Sequence, residues 1–279
     1  MLSSTRRLLI SSLLLPAALL FSGCSGGSGG SSAPTVASTD GVTPGTSQPV
    51  AAANAGPDSA STVSDQSPVI LLTLPLGTDG AVAFKDRVKS WKDSGVATSV
   101  TLLEHTPSAQ PADETALFAA MAILRFADEA ALTQWEQGAA TTLGADVQLR
   151  RADVLVDAGA HADAVKAMFV VNHYGVLVDR DAYAAYTQAY IVPNMANQHA
   201  SGVMAAYTMY LERAATGAQP RAVLVKEYHD QDSMVRSDAI KDAHKKMLLE
   251  TNPEWKRIND TKEQIRTDLS ETVASAKAW

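Results

Sequence analysis

From Pro68 onward the sequence runs twice through one order of elements, and that duplication limits the fold more than any other feature. Residues 69–76 are apolar over a strand's length, and Phe84, Val88 and Trp91 recur at helical spacing across 82–91. Residues 99–103 and 117–126 read as strands. Asp128 stands where a helix N-cap belongs, ahead of Leu132, Trp135 and Leu143. Residues 146–156 then alternate as a strand, with Val147 and Leu149 and, after a slip, Val154 and Val156. The order is βαββαβ.

The second pass has a strand at 166–178, a helix at 181–190 whose pattern Pro193 interrupts, and strands at 203–211 and 222–228. Asp230 opens a long helical region reaching Thr267, broken near Asn252-Pro253, where Asn252 caps and Pro253 takes the first helical position. A final strand covers 271–276. Arg125-Phe126-Ala127-Asp128 followed by Leu132 aligns with Glu227-Tyr228-His229-Asp230 followed by Met234, and Arg151-Ala152-Asp153 aligns with Arg266-Thr267-Asp268. The helix carrying Trp255 and Ile258, with Ile265 beyond, has no equivalent in the first pass.

The run Ile123-Leu-Arg-Phe-Ala-Asp-Glu-Ala-Ala-Leu-Thr-Gln-Trp135 is similar to the strand–turn–helix phrase of small bacterial members of the dimeric α/β-barrel superfamily. The resemblance spans 68–279 and implies a ferredoxin-like repeat at 68–160 and a second at 161–279. Together they would form, within one chain, the barrel that single-unit members build as dimers. The expected class is therefore α+β: two ferredoxin-like βαββαβ repeats in one pseudo-dimeric α/β barrel after a disordered tether. The superfamily holds cofactor-free monooxygenases, haem enzymes, isomerases and non-catalytic members, so fold alone selects no reaction.

Residues 1–23 have Arg6 and Arg7, an apolar run over 8–21 and small residues before Cys24, the pattern of a secretory signal peptide. Leu20-Phe21-Ser22-Gly23-Cys24 resembles the bacterial lipobox, which implies acylation of Cys24 and attachment to a lipid bilayer. Ser25 in the next position implies the outer membrane, with the folded part facing the periplasm. Residues 24–67 are dominated by Gly, Ser, Thr, Ala and Pro, and 25–67 have no aromatic, Leu, Ile, Met, Lys or Arg. Such a segment buries too little apolar area to offset its ordering entropy and is expected to be a disordered linker.

A formal charge of −7 without a large basic block argues against nucleic acid. One cysteine in the chain excludes an intramolecular disulfide or a Cys-cluster metal site, and the six histidines show no metal-ligand spacing. No metal and no cofactor are expected. Nucleophile-elbow, phosphate-loop and dinucleotide motifs are absent, so no catalytic residues are assigned.

Every tyrosine lies between Tyr174 and Tyr228, which favours a ligand pocket in repeat two. The candidates are Asn172, His173, Tyr174, Tyr207, Glu227 and His229, with Arg125 reaching in from repeat one. Strand parity puts Asn172 and Tyr174 on one face and His173 on the other, and it separates Tyr207 from Tyr210. His173 and His229, at strand ends, are expected to approach each other across the sheet. Tyr183, Tyr186 and Tyr190 form a helical stripe suited to the core. Arg125 and Glu227 hold equivalent positions and are candidates to face the barrel interior together. The expected role is non-catalytic: a lipoprotein domain binding a small apolar or aromatic ligand, or an accessory. The alternative is a cofactor-independent monooxygenase-like enzyme. A third is a protein-interaction module using an exposed apolar patch on the last helices.

Overall fold

A computed structural model describes residues 67–107, 115–139, 142–162, 165–214, 217–277 and 279. The expected signal segment, Cys24 and the tether up to residue 66 lie outside the described residues. No helix among the described residues is long and apolar enough to cross a membrane.

The first repeat contributes β1 (Val69–Pro75), α1 (Ala81–Ser94), β2 (Ser99–His105), β3 (Phe118–Arg125), α2 (Glu129–Ala139) and β4 (Gln148–Gly159). The second contributes β5 (Met168–Val176), α3 (Arg180–Tyr186), a π-helical turn (Thr187–Ile191), α4 (Val192–Ala200), β6 (Met204–Glu212), β7 (Arg221–Tyr228), α5 (Gln231–Thr251), α6 (Pro253–Thr261) and β8 (Arg266–Ala276). The strands close into one barrel in the order β1-β3-β2-β8-β5-β7-β6-β4. Each repeat is thus a ferredoxin-like sheet with its first strand between the third and fourth. The pseudo-dimeric α/β barrel expected from the sequence is the fold observed.

The two aligned aspartates behave alike. Asp128 Oδ1 accepts from the Ala131 amide at 2.8 Å, and Asp230 Oδ1 accepts from the Ser233 amide at 2.7 Å. Each cap satisfies a first-turn N–H that the helix itself cannot. Asn252 likewise caps α6 through the Trp255 amide, with Pro253 in the first turn.

Register makes the internal symmetry quantitative. Val69 lies opposite Arg125 as Phe169 lies opposite Glu227, and Val69 pairs with Ala152 as Phe169 pairs with Ala274. The counterpart of Arg151 is therefore Val273. The expected match of Arg151–Asp153 to Arg266–Asp268 is corrected, because β8 begins at Arg266, well upstream of the 271–276 expected. The seams between repeats are unequal: β4 pairs with β6 through seven residue partners, β2 with β8 through three. The extra length lies in β4, which runs on through a bulge between Val154 and Val156, the slip visible in the sequence, to Gly159.

Three apolar clusters follow from alternation on the strands. One fills the barrel, with Leu71, Met121 and Ile123 from repeat one against Phe169, Val171 and Val225 from repeat two. Another packs the outer face of repeat one under α1 and α2, and the third packs repeat two under α3–α6. Pro193 does not end the helical path as expected. It sits in the first turn of α4, where its missing N–H costs nothing, and the π-turn carries the chain from Tyr186 into α4. On α6, Trp255 is 1% exposed, stacks on Tyr190 and donates its indole N–H to the Tyr190 carbonyl. The last helices thus turn these apolar residues inward, and the exposed patch expected of an interaction module is not formed by Trp255 and Ile258.

Candidate functional site

At one mouth of the barrel, side chains of both repeats surround a cavity of about 130 Å³. The walls are apolar where Ile123, Phe169 and Val225 meet, and Arg125, Tyr210, Glu227 and His161 are among the polar groups that line them. A dry cavity of roughly 150 Å³ holds a benzene ring, so this one is on the scale of a single aromatic ring.

Arg125 ends β3 and points inward by the same alternation that buries Met121 and Ile123. Its Nη2 donates to Tyr210 Oη at 3.2 Å and pairs with Asp157 Oδ2 at 2.8 Å. Asp157 reaches that position because of the β4 bulge. Without it, alternation from Val154 would put Asp157 on the outer face. Its other oxygen accepts from Thr208 Oγ1 at 2.8 Å. Burial disfavours the Arg125 cation, but Tyr210 and Asp157 outweigh it and hold the pKa above the ordinary value. Burial raises the Tyr210 phenol.

Glu227 occupies the matching place on β7 and is also buried. Its partners come from the connection after β4: Oε1 accepts from the Ala162 amide at 2.7 Å, and Oε2 lies 2.7 Å from His161 Nδ1. The hydrogen bond to Glu227 raises the His161 pKa, outweighing the opposing effect of burial. Glu227 is therefore a sequestered carboxylate with an imidazole between it and water. A carboxylate–imidazole pair facing a guanidinium–phenol pair across an apolar floor can move a proton and hold the resulting anion.

The expected candidates divide. Arg125 and Glu227 come together at this cavity, though each bonds to a different partner. Tyr207 only borders it and packs outward with Met209 and Leu211, so Tyr210 is the inward tyrosine of β6. Asn172 faces outward, where Nδ2 donates to Glu271 Oε2 at 2.7 Å, and Tyr174 is buried under the helices of repeat two.

His173 does point into the barrel, but elsewhere along it. Its Nδ1 shares a hydrogen bond with Ser270 Oγ at 3.0 Å, its ring meets Phe118, and burial pushes its pKa down to about 4. It lies four residues from Phe169 on β5, roughly 13 Å at the strand rise. The expected approach of His173 to His229 is corrected. Val223 is the partner of His173, and His229 lies six residues further along that chain, about 20 Å away, and exposed.

Asp157, His161, Thr208 and Tyr210 were not among the candidates. Only the slip in β4 hinted at Asp157, and nothing local marks His161, whose role depends on a connection crossing the barrel mouth. A haem does not fit here: the cavity is too small for a porphyrin, and His173 is remote from it. Among the described residues no group of three or more His, Cys, Asp and Glu is placed to hold a metal ion.

Among solved structures, the chain is similar to a proposed monooxygenase from Fusobacterium nucleatum subsp. nucleatum, at 13% identity and a TM-score of 0.49, covering 76% of this chain and 93% of that one. A proposed monooxygenase from Lactobacillus acidophilus aligns at 10% identity and 0.47, covering 76% and 94%. An anthrone oxidase-like protein aligns at 7% identity and a TM-score of 0.53, covering 77% and 92%. No protein-family model matches the chain, and no curated protein matches it. At these identities the likeness is one of fold. The anthrone oxidase-like neighbour carries an enzyme's name, which runs against the expected non-catalytic role.

Proposed function

We propose that the chain is a small-molecule enzyme of the cofactor-independent monooxygenase type, acting on a single-ring phenol in the barrel-mouth cavity. The observation that carries this reading is the buried Glu227–His161 pair facing Arg125–Tyr210 across a floor of Ile123, Phe169 and Val225. In this reading Glu227, through His161, takes the phenol proton, and Arg125 and Tyr210 hold the phenolate oxygen. The electron-rich ring then reacts with dioxygen. One oxygen atom enters the ring and the other leaves as water, so phenol and O₂ give a quinone and H₂O, with the substrate supplying all four electrons. Cavity size favours one ring over the three-ring skeleton that the anthrone oxidase-like name implies.

The test is oxygen uptake with quinone absorbance over a panel of single-ring phenols and hydroquinones. Uptake that is lost in Glu227→Gln and slowed at least tenfold in Arg125→Met is the expected result. Uptake indifferent to both substitutions, or none on the panel, overturns it.

We propose in addition that Cys24 is the acylated anchor and that 24–67 tether the barrel to the outer membrane on the periplasmic side. The lone cysteine at a lipobox-like cut and the Gly/Ser-rich stretch after it support this. Fractionation tests it: Cys24→Ser is expected to leave the membrane pellet, and its retention there removes the anchor.

A further inference from the structure

Under the helices of repeat two, three buried atoms share one neighbourhood and make no hydrogen bond of good geometry with the protein: Arg266 Nη1, Tyr183 Oη and Tyr186 Oη, although Arg266 stands close enough to Tyr183 to oppose the effect of burial on its phenol. The guanidinium lies 3.8 Å from the centroid of the Tyr174 ring and 5.9 Å from that of Tyr186, and the Tyr183 and Tyr186 rings are 5.5 Å apart. Tyr183 is 0% exposed and Tyr186 4%. An unmade hydrogen bond on a buried group costs about 1–3 kcal/mol, so three at one place mark a site completed from outside the chain or by water.

All three atoms can donate, and the guanidinium can only donate. What completes the cluster is therefore an acceptor, and beside a cation an anionic one is favoured. Asp268 does not fill that role. It meets Nη2 at 3.3 Å from the water side and is itself 73% exposed. Burial works against the Arg266 charge, yet the surrounding tyrosines and Asp268 hold its pKa above the ordinary value.

The helix above is broken where an opening would be needed. Tyr186 is the last residue of α3, and the π-turn begins at Thr187, whose hydroxyl has turned back to the Tyr183 carbonyl at 2.9 Å. Such π-turns are frequent at ligand sites. The aromatic rings around the three donors suit a flat group better than a tetrahedral one.

We propose that Arg266, Tyr183 and Tyr186 form a carboxylate-binding site, separate from the barrel cavity, that takes the head group of a small planar organic acid. One carboxylate oxygen accepts from Arg266 Nη1 and the other from the two phenols, with the acid's apolar part against the tyrosine rings. The site depends on none of Arg125, Tyr210, Glu227 or His161.

The experiment is titration of the full chain with benzoate and formate, against phosphate and chloride at equal ionic strength, read by the ring signals of ¹³C-labelled tyrosine and by Tm. Expected are shifts at Tyr183 and Tyr186 with Tyr210 unmoved, and a rise in Tm with carboxylate that phosphate and chloride do not reproduce. Arg266→Gln is expected to abolish binding. The Tyr183→Phe, Tyr186→Phe double variant, which keeps the rings and so the packing, is expected to weaken it at least tenfold. If Arg266→Gln does not fold, the double variant alone decides. No carboxylate-dependent shift in the native chain, shifts confined to Tyr210, or undiminished binding by the double variant overturns the proposal. A more stable double variant from a native chain indifferent to carboxylate would assign the cluster to bound water.

Discussion

His161 Nδ1 lies 2.7 Å from Glu227 Oε2, and the two side chains sit on opposite sides of the water boundary, 78% and 6% exposed. The imidazole closes over the carboxylate, and the carboxylate raises the imidazole pKa. In an NMR titration the His161 midpoint is expected above 6.5 and should fall back toward that value in Glu227→Gln. Because the folded-state pKa is raised, the pair's stabilisation is full below about pH 6.5 and is lost as pH rises through the folded-state midpoint. Its size is that of a water-screened pair, under about 1 kcal/mol. An unchanged midpoint in Glu227→Gln would show that the bond is not made.

His173 titrates with the opposite sign. Its folded-state pKa of about 4 lies below the unfolded value, so the neutral ring is favoured in the barrel. Above about pH 6.5 both states hold the neutral form; below it the unfolded chain takes up the proton first. Stability is expected to fall by about 3 kcal/mol between pH 6.5 and 4 from this residue. Urea melts across that range in the native chain and in His173→Phe would check it. Parallel curves would rule out a proton-free His173.

The Arg125–Asp157 pair is half-sheltered, with side chains 24% and 39% exposed. A cycle of Arg125→Met, Asp157→Asn and the double variant should give a coupling of about 1–2 kcal/mol, between surface and buried pairs. Near-zero coupling by chemical denaturation would mean that Tyr210 alone orients the guanidinium.

The two seams between repeats should open unequally. β2 and β8 share three residue partners, supplemented by the Thr106 amide to the Val273 carbonyl and the Lys277 amide to the Leu102 carbonyl, against seven partners for β4 and β6. Amide hydrogen exchange should therefore be faster at the β2–β8 seam than along Asp157, Thr208 and Tyr210. Equal protection would count against a local opening there.

Much of the barrel was legible because its signals are local. The Asp128 and Asp230 caps, the slip before Val154 and the recurrence of Arg125 as Glu227 are each written within a few residues. The site was legible only in part. Parity shows that Tyr207 and Tyr210 oppose each other, but not which faces the barrel; closure decides that, and closure is a property of eight strands. His161 acquires its role only when the connection after β4 passes over Glu227. Arg151 matches Arg266 only through a shared Arg-x-Asp spelling, whereas strand register makes Val273 the counterpart of Arg151.

Two identical subunits joined about a twofold axis would have to present the same residue twice at equivalent positions. A cavity lined by Arg125 and its counterpart would then be doubly cationic, or doubly acidic with Glu227. Two halves in one polypeptide need not match, and the mouth of this barrel carries the Arg125–Asp157 pair with Tyr210 on one bank and Glu227 with His161 on the other. The bulge at Leu155 in β4 has no counterpart at the equivalent place in β8, whose own register shift falls at Leu269, so the irregularities of the two strands also differ between the halves. A single chain of two repeats can thus hold an electrostatic asymmetry at the barrel mouth that a twofold dimer could not.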